Sequence, residues 1–167
     1  MDKDGVNYRC RSDCAAPLGM QDGRIADSQI SASSVYPSSE VQPFNARLHL
    51  TVTGAGWSAA KTAVGEYLQI DLKKTHIISK VATQGRYTPG GLQYVKLYYL
   101  TYSHDDVQWT TFNYGGEMKK FQGNADMSTV VTHTLPVPIR TRFIRFVALE
   151  WYAWISMRVE LYGCASN

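Results

Sequence analysis

Apolar and polar residues alternate with a period of two along several short segments of this chain. In EYLQIDL (66–72), Leu68, Ile70 and Leu72 alternate with Tyr, Gln and Asp, and SMRVELY (156–162) repeats the pattern. A period of two indicates a strand with one buried face. Five further segments have the composition of strands: RLHLTV (47–52), HIISKVATQ (76–84), YVKLYYLTYS (94–103), TVVTHT (129–134) and TRFIRFVA (141–148).

Helical periodicity is weak throughout the sequence. SAAKTAV (58–64) is long enough for one helical turn, and no longer segment carries an apolar stripe at helical spacing. Strand-like segments of this number and spacing, separated by Gly, Pro, Ser and Asp, predict an antiparallel β-sandwich or barrel.

Three connecting segments carry aromatic or apolar residues where turn residues are usual. They are VYPSSEVQPF (35–44), RYTPGGLQY (86–94) and EWYAW (150–154). Connections normally hold polar turn residues. These side chains therefore either fold back to cap the core or form a binding surface, and the residues alone leave both readings open.

Composition narrows the class of protein without naming a ligand. A chain of 167 residues with 44% hydrophobic residues is expected to form one globular domain with a substantial core. Its 11 Tyr and 4 Trp residues suit both strands and binding surfaces. The net charge of +3 is mild and does not predict nucleic-acid binding. No apolar run approaches the roughly 20 residues that span a bilayer.

The three cysteines are Cys10, Cys14 and Cys164. A bridge between Cys14 and Cys164 would close a very long loop, which the chain-entropy model values at about 4–5 kcal/mol. The alternative is three unpaired thiols in a reducing compartment. If Cys14 and Cys164 pair, Cys10 is left over, either as a free thiol or as a link to another chain.

Motifs for catalysis are absent from the sequence. None of the histidines has a second ligand at metal-site spacing, and the chain contains no nucleophile elbow and no phosphate-binding loop. The four histidines are His49, His76, His104 and His133. We therefore expect neither enzymatic activity nor a cofactor. Asp22 and Asp27 could join backbone carbonyls around a structural calcium ion, although solvated turn carboxylates are the preferred interpretation.

Seven segments in order along the chain resemble the discoidin domain, also known as the coagulation factor V/VIII C-type module. The resemblance runs from Cys14 to Cys164 and is specific because so many motifs occur in sequence. The segments are LGMQDGRIADSQISASS (18–34), GWSAAKTAVGEYLQIDL (56–72), ATQGRY (82–87), YSHDDVQW (102–109), FQGNAD (121–126), TRFIRF (141–146) and ISMRVELYGC (155–164).

This resemblance implies an eight-stranded antiparallel, jelly-roll-like β-sandwich over residues 14–164. Residues 1–13 are then a flexible lead-in and residues 165–167 a tail. The family pattern places both termini at one end, joined by a Cys14–Cys164 disulfide. It places ligand-binding spike loops at the opposite end.

The resemblance also implies which residues meet a ligand. Val35 and Tyr36 match the first spike, RYTPGGLQY matches the adjacent spike, and EWYAW matches a loop beside it. The expected ligand-binding residues are Val35, Tyr36, Lys61, Arg86, Tyr87, Leu92, Trp151, Tyr152 and Trp154.

The function implied is that of an extracellular, non-catalytic adhesion module, secreted or part of an ectodomain. Its ligand is expected to be an anionic phospholipid membrane or an extracellular protein such as collagen, with carbohydrate binding as the alternative. Aromatic rings would anchor the ligand, while Lys61 and Arg86 would meet anionic groups.

Two departures from the patterns of individual family members partly narrow the choice of ligand and partner. Thr62 stands where the neuropilin pocket for C-terminal arginine has its acidic partner, and Cys10 before Cys14 is similar to the subunit-linking cysteine of retinoschisin.

The first residues carry no secretory signal, because Met1–Asp4 is charged and no apolar segment follows. If the natural protein is secreted, we therefore expect this chain to be a piece of it.

Overall fold

The structure is a computed structural model that describes residues 14–166. The predictions for residues 1–13, including the role of Cys10, and for Asn167 lie outside the described residues. Within the described chain the regular elements are eleven strands and three single-turn 3-10 helices. The strands are β1 (Ala16–Pro17), β2 (Ile30–Ala32), β3 (Trp57–Ser58), β4 (Tyr67–Gln84), β5 (Tyr94–Ser103), β6 (Thr110–Thr111), β7 (Asn113–Tyr114), β8 (Glu117–Met118), β9 (Lys120–Gln122), β10 (Val131–Tyr152) and β11 (Ser156–Ala165), and the helices are Asp27–Gln29, Ser39–Val41 and Pro43–Asn45.

Two long strands, β4 and β10, organise the molecule. The first half of β4 pairs with β2 and with the second half of β10. Its second half pairs with β11 and with the first half of β10. β4 changes direction near Lys73, whose φ is 62°, and β10 changes direction where its register shifts between Thr141 and Phe143. The folded-over strands enclose the core, and the predicted all-β antiparallel class is confirmed.

Several predicted strands prove to be parts of longer ones. Segments 66–72 and 76–84 form β4, while 129–134 and 141–148 both contribute to β10. Pro136 and Pro138 lie between the two halves of β10, and the pairing register with β4 shifts there, between Thr134 and Ile139. Proline lacks the N–H that a ladder requires, which explains why the sequence pattern breaks although the strand continues.

The strand predicted at residues 47–52 is wrong. His49 has φ 63°, in the left-handed region, which ends extended backbone. Its backbone N–H donates to Oε1 of Gln84 (2.7 Å), and the Leu50 N–H turns back to the carbonyl of Arg47 (3.1 Å). A single parallel bridge from Arg47 to Val159 remains. The buried Leu48 in this turn produced the alternating pattern.

The core lies between the two halves of the folded sheet and contains the alternating residues of β4, β10 and β11. Leu68, Ile70, Ile144 and Leu161 are fully buried there. Burial of this kind supplies the main favourable term in folding, at about 25 cal/mol per Å² of apolar surface. Among residues 14–166, no helix has the length and apolar character of a membrane span.

The two ends of the molecule differ in what they contain. Cys14 and Cys164 form the predicted disulfide, with their Cα atoms 4.8 Å apart, beside Ile77 in β4. β4 then continues to Gln84, which lies about 20 Å farther along the strand at roughly 3.3 Å per residue. We call the disulfide-bearing end the terminal end. The opposite end, where residues 33–38, 53–62, 85–93 and 153–155 connect the strands, is called the loop end.

Candidate functional site

The first segment of the loop end is held by two serines. The hydroxyls of Ser33 (2.6 Å) and Ser34 both donate to Oε2 of Glu66, whose carboxylate is buried beneath them. Val35 follows and packs against the core, while Tyr36 stays 44% exposed. The apolar pair is therefore divided, with the valine anchoring the loop and the tyrosine presented at its surface.

Lys61 lies beside this segment with its side chain 71% exposed. Its Nζ is 3.7 Å from Oε1 of Glu66, which is buried. The ammonium group is therefore available to solvent at the rim of the loop end.

The second segment starts where β4 ends and is tied to its neighbours through the backbone. The N–H of Arg86 donates to the carbonyl of Gln93 (3.0 Å), and the N–H of Tyr87 donates to the carbonyl of Ala55 (2.8 Å). Tyr87 is half-buried with its ring centroid 5.8 Å from the Arg158 guanidinium. Leu92, in contrast, is 42% exposed. The base of this loop is fixed and its apolar tip faces solvent.

The third segment is shorter than the predicted loop at residues 150–154, because β10 extends through Tyr152. Trp151 is partly buried against the core, and its neighbour in the strand, Tyr152, is 50% exposed on the other face. Tyr152 stacks on Tyr94 with ring centroids 5.3 Å apart. The chain then turns at Ala153, which has φ 57°.

Trp154 links the third segment to the first. Its indole N–H donates to the carbonyl of Ala59 (2.8 Å), which fixes the ring. The Tyr36 ring meets it edge to face, with centroids 5.7 Å apart and planes at 84°. This geometry is the favoured one for aromatic pairs, and it creates two walls at a right angle.

Between these walls lies a recess of about 220 Å³ lined by Tyr36, Ser58, Arg86, Gln93 and Trp154. Arg86 is largely buried, with its side chain 18% exposed. Its Nε donates to the carbonyl of Gly54 (3.2 Å), Nη1 to Oε1 of Gln93 (3.2 Å), and Nη2 lies 3.5 Å from Oε2 of Glu40. Arg86 thus contributes to the recess and not to the outer rim.

The recess brings together three of the nine residues predicted to bind ligand, namely Tyr36, Arg86 and Trp154. Lys61, Leu92 and Tyr152 are exposed and do not line it, whereas Val35, Tyr87 and Trp151 are half-buried. Sequence reasoning missed Ser58 and Gln93. Neither residue stands out by type. Only the pairing of β3 with β11 and the backbone hydrogen bond from Arg86 to Gln93 place them here.

Arg158, in β11, was also missed and is the buried centre of the loop end. It is 1% exposed, and it donates to three carbonyl groups on three different connections. They are Gly85 (Nε, 2.7 Å), Leu50 (Nη1, 2.6 Å) and Met127 (Nη2, 2.5 Å). Burial lowers the pKa of Arg158, but arginine remains charged in proteins. One cation therefore holds the bases of three loops through neutral acceptors.

The two aspartates considered for calcium are engaged with arginines. Asp22 Oδ2 lies 2.8 Å from Nε of Arg24, and Asp27 Oδ1 lies 2.6 Å from Nη2 of Arg47. Arg47 also donates to the carbonyl of Met20 (2.8 Å), so its guanidinium bridges a carbonyl and a carboxylate that a cation would use. A calcium ion at Asp27 and the Met20 carbonyl would have to displace this arginine, so these oxygen atoms fit a calcium site poorly. The calcium site stays a prediction.

Clusters of metal-binding side chains are absent over residues 14–166, where no three His, Cys, Asp or Glu groups lie together. Two of the histidines bond backbone carbonyls, His76 to Lys74 (2.9 Å) and His133 to Gln122 (2.6 Å). The described part of the loop end thus presents exposed apolar side chains and a recess with polar groups, without a cluster of metal-binding side chains.

Comparison with known proteins identifies the family. A model of the F5/8 type C domain matches residues 29–161. The chain belongs to the F5/8 type C, or discoidin, family. Neuropilin-2 of Homo sapiens is 41% identical over 154 residues, and lactadherin of Sus scrofa is 38% identical over 160 residues.

These relatives are longer than this F5/8 type C domain. The matched region is 90% of this chain and 16% of neuropilin-2, and 92% of this chain and 39% of lactadherin. Coagulation factor VIII of Sus scrofa is 39% identical over 156 residues, which are 92% of this chain and 7% of that protein. The chain therefore corresponds to a fraction of each relative.

Solved structures agree on the discoidin fold. Recombinant discoidin II of Dictyostelium discoideum superposes with a TM-score of 0.72 at 23% identity, covering 83% of this chain and 56% of that one. The family 32 carbohydrate-binding module of C. perfringens NanJ, in complex with galactose, gives a TM-score of 0.60 at 18% identity, covering 83% and 96%. At these identities the likeness concerns the fold alone.

Proposed function

We propose that this domain is an extracellular, non-catalytic adhesion module that binds a cell-surface ligand with its loop end. The observation that carries the proposal is the exposure of three large side chains with apolar surface at the loop end, Tyr36, Leu92 and Tyr152, at 44%, 42% and 50%. Tyr36 also lines the recess. The segments that carry these three side chains are fixed by backbone hydrogen bonds, and Arg158 also holds the segment of Leu92 at Gly85. A fixed base lets the tips bind without a large cost in ordering the loops.

An anionic membrane or an extracellular protein suits this surface. Tyr rings bury their apolar bodies at a membrane interface and keep their hydroxyls in water. Lys61, exposed at the rim, adds attraction to anionic headgroups, worth about 1 kcal/mol for one cation near a charged surface. On a protein ligand the same rings are anchors of the kind that dominate interface energies.

The test is binding to phosphatidylcholine vesicles with and without phosphatidylserine, run beside immobilised collagen. We expect a Tyr36→Ser/Leu92→Ser/Tyr152→Ser variant to lose most of the binding that the unmutated chain shows. Tyr114→Ser is the matched control, because Tyr114 is 55% exposed on the separate β7–β8 hairpin. Full binding by the folded triple variant would refute a role for the loop end.

Carbohydrate binding is the second candidate, supported by the two aromatic walls of the recess. Tyr36 and Trp154 meet at a right angle over polar groups, and sugar rings bind by packing on aromatic faces while their hydroxyls meet such groups. A glycan array distinguishes this candidate. Glycan binding that depends on Trp154, with no binding to vesicles or collagen, would favour it over the first.

A further inference from the structure

Strand β10 has one unpaired edge along its first half. It pairs with β4 on one side, whereas its pairing with β5 on the other side begins only at Phe143. Within the described chain, no strand and no backbone hydrogen bond from another segment reaches the outer side of residues 134–140. We call this side of residues 134–140 the open edge. The free N–H and C=O groups of such an edge can pair with a strand of another molecule.

The open edge is accessible from solvent. A groove of about 520 Å³ lies beside it, with residues 137–140 along one side and Tyr102, His104 and residues 110–113 along the other. Val137, at the centre of the edge, is 54% exposed. A second chain can therefore approach the backbone of β10 here.

Two prolines interrupt the backbone of the open edge. Four residues of β10, 135–138, lie opposite the single residue Ser79 of β4, so this part of the strand forms an enlarged bulge. Two of the four, Pro136 and Pro138, have no N–H to donate. Prolines and bulges are features with which natural sheets prevent a strand from adding to an edge.

Charge does not protect this edge. The segment VTHTLPVPI (131–139) contains no Lys, Arg, Asp or Glu, although charged side chains are another common protection of an edge. Its Val, Thr and Ile residues favour strands. Arg140 follows, and its Nε donates to the Ser166 hydroxyl (2.8 Å). Protection of the edge therefore depends on the prolines and the bulge that contains them.

We propose that Pro136 and Pro138 prevent the open edge from pairing with the open edge of a second copy of this chain. Two identical edges can meet antiparallel about a two-fold axis, so that the contact closes with two copies. A second copy is the partner because its edge has the same length and carries no charge that would repel the first. This inference goes beyond the ligand binding proposed for the loop end, since the open edge shares no residue with the recess.

The experiment restores the two missing N–H groups with the variant Pro136→Thr/Pro138→Thr. Every protein in the comparison also carries Cys10→Ser, so that Cys10 cannot link copies. Sedimentation velocity over a range of concentrations gives the mass in solution, and circular dichroism checks the fold. We expect the chain with both prolines to stay monomeric. The double variant should approach roughly twice that mass as its concentration rises, as a closed two-fold contact requires.

Two further variants test whether the open edge is responsible. Pro89→Thr is the matched control, because it makes the same change in an exposed turn of the loop end and adds no N–H to the open edge. It should remain monomeric. Adding Val137→Lys to the double variant should also return it to a monomer, because a charged side chain at the centre of the edge brings like charges of the two copies together.

A folded double variant that stays monomeric at every concentration would overturn the proposal, and so would association that persists after Val137→Lys. If the double variant does not fold, Pro136→Thr and Pro138→Thr are measured separately, and two folded monomers refute the proposal. Amide hydrogen exchange at Val137 in the chain with both prolines is the second measurement. Rapid exchange at every concentration supports the proposal, whereas protection that increases with concentration shows that the open edge already pairs and refutes it.

Discussion

The terminal end and the loop end of this domain are held together by different physical means. At the terminal end the Cys14–Cys164 disulfide joins the two ends of the described chain. Nearby, Asp71 accepts two hydrogen bonds from Arg142 (2.8 and 3.0 Å). At the loop end a single buried cation, Arg158, binds three backbone carbonyls and no carboxylate. The terminal end is held by a covalent link, whereas the buried centre of the loop end is held by hydrogen bonds from one cation to neutral carbonyls.

This difference separates stability from binding. A carboxylate beside Arg158 would place a second charge in the core of the loop end, whereas carbonyls satisfy the cation and need no desolvation of an anion. The exposed side chains at the loop tips then contribute little to the free energy of unfolding, and they present apolar surface to solvent. We therefore expect changes at the terminal end to lower stability and leave binding intact, and changes at Arg158 to lower both.

Removing the disulfide is expected to have the largest effect. The double change Cys14→Ala/Cys164→Ala should lower the free energy of unfolding by about 4–5 kcal/mol, because the bridge closes a very long loop in the unfolded chain. Urea denaturation measures this loss. Ligand affinity per folded molecule should not change; a folded variant with weakened binding would show that the two ends are coupled.

Arg158→Met should cost about 3 kcal/mol, since three buried carbonyls lose a charged donor. Binding at the loop end should fall as well, because the connections at Leu50, Gly85 and Met127 lose their common anchor. Arg145→Met is the control. Arg145 stacks on Trp109 and Tyr67 (3.5 and 3.9 Å from the ring centroids), and its Nε donates to Oε1 of Gln69 (2.8 Å). Its loss should cost about 1–2 kcal/mol. Equal losses for the two variants would contradict the special role of Arg158.

Acid should weaken the terminal end through Asp71. Burial raises the pKa of this carboxyl, but hydrogen bonds from Arg142 and Lys73 outweigh it and lower the pKa to about 2. A depressed folded-state pKa stabilises the protein above the unfolded value near 3.8, and this contribution is lost as the pH falls from about 4 to about 2. Arg142 is 38% exposed, so we expect only about 1–2 kcal/mol after solvent screening.

Urea midpoints of the unmutated chain and of Asp71→Asn across this pH range measure the contribution. The difference in urea midpoint between the two proteins should be largest near neutral pH and should disappear as the pH is lowered. A gap that persists in acid would assign the stabilisation to another group.

The smallest effects on stability are expected at the loop tips. Leu92→Ser should change the free energy of unfolding by no more than about 0.5 kcal/mol. Tyr36→Ser should cost about 0.5–1 kcal/mol, because it loses the edge-to-face contact with Trp154. Thermal melts of the two variants supply the measurement. A loss of several kcal/mol at either position would mean that these side chains cap the core.

The long strands, the family and the loops of the candidate site could all be predicted from the sequence. Alternation is a local property, so β5 could be predicted to the residue, and EYLQIDL and SMRVELY marked the core faces of β4 and β11. The family resemblance, carried by segments from Leu18 to Cys164, located the disulfide and the loops of the candidate site, whose ligand binding stays a prediction. Where local pattern and backbone conformation disagreed, as at His49, the prediction failed because one residue of positive φ leaves no trace in an alternating pattern.

Which side chains meet could be seen only in the folded structure. Trp151 and Tyr152 are adjacent aromatics in one segment, yet strand β10 turns one toward the core and the other toward solvent. Arg158 reads in the sequence as the polar position of a strand exposed on one face, and it is fully buried because three connections pass over it. Such positions depend on contacts between segments far apart in the chain. The two-residue period of a strand indicates which face of the sheet a residue occupies. It does not indicate what the rest of the fold places over that face.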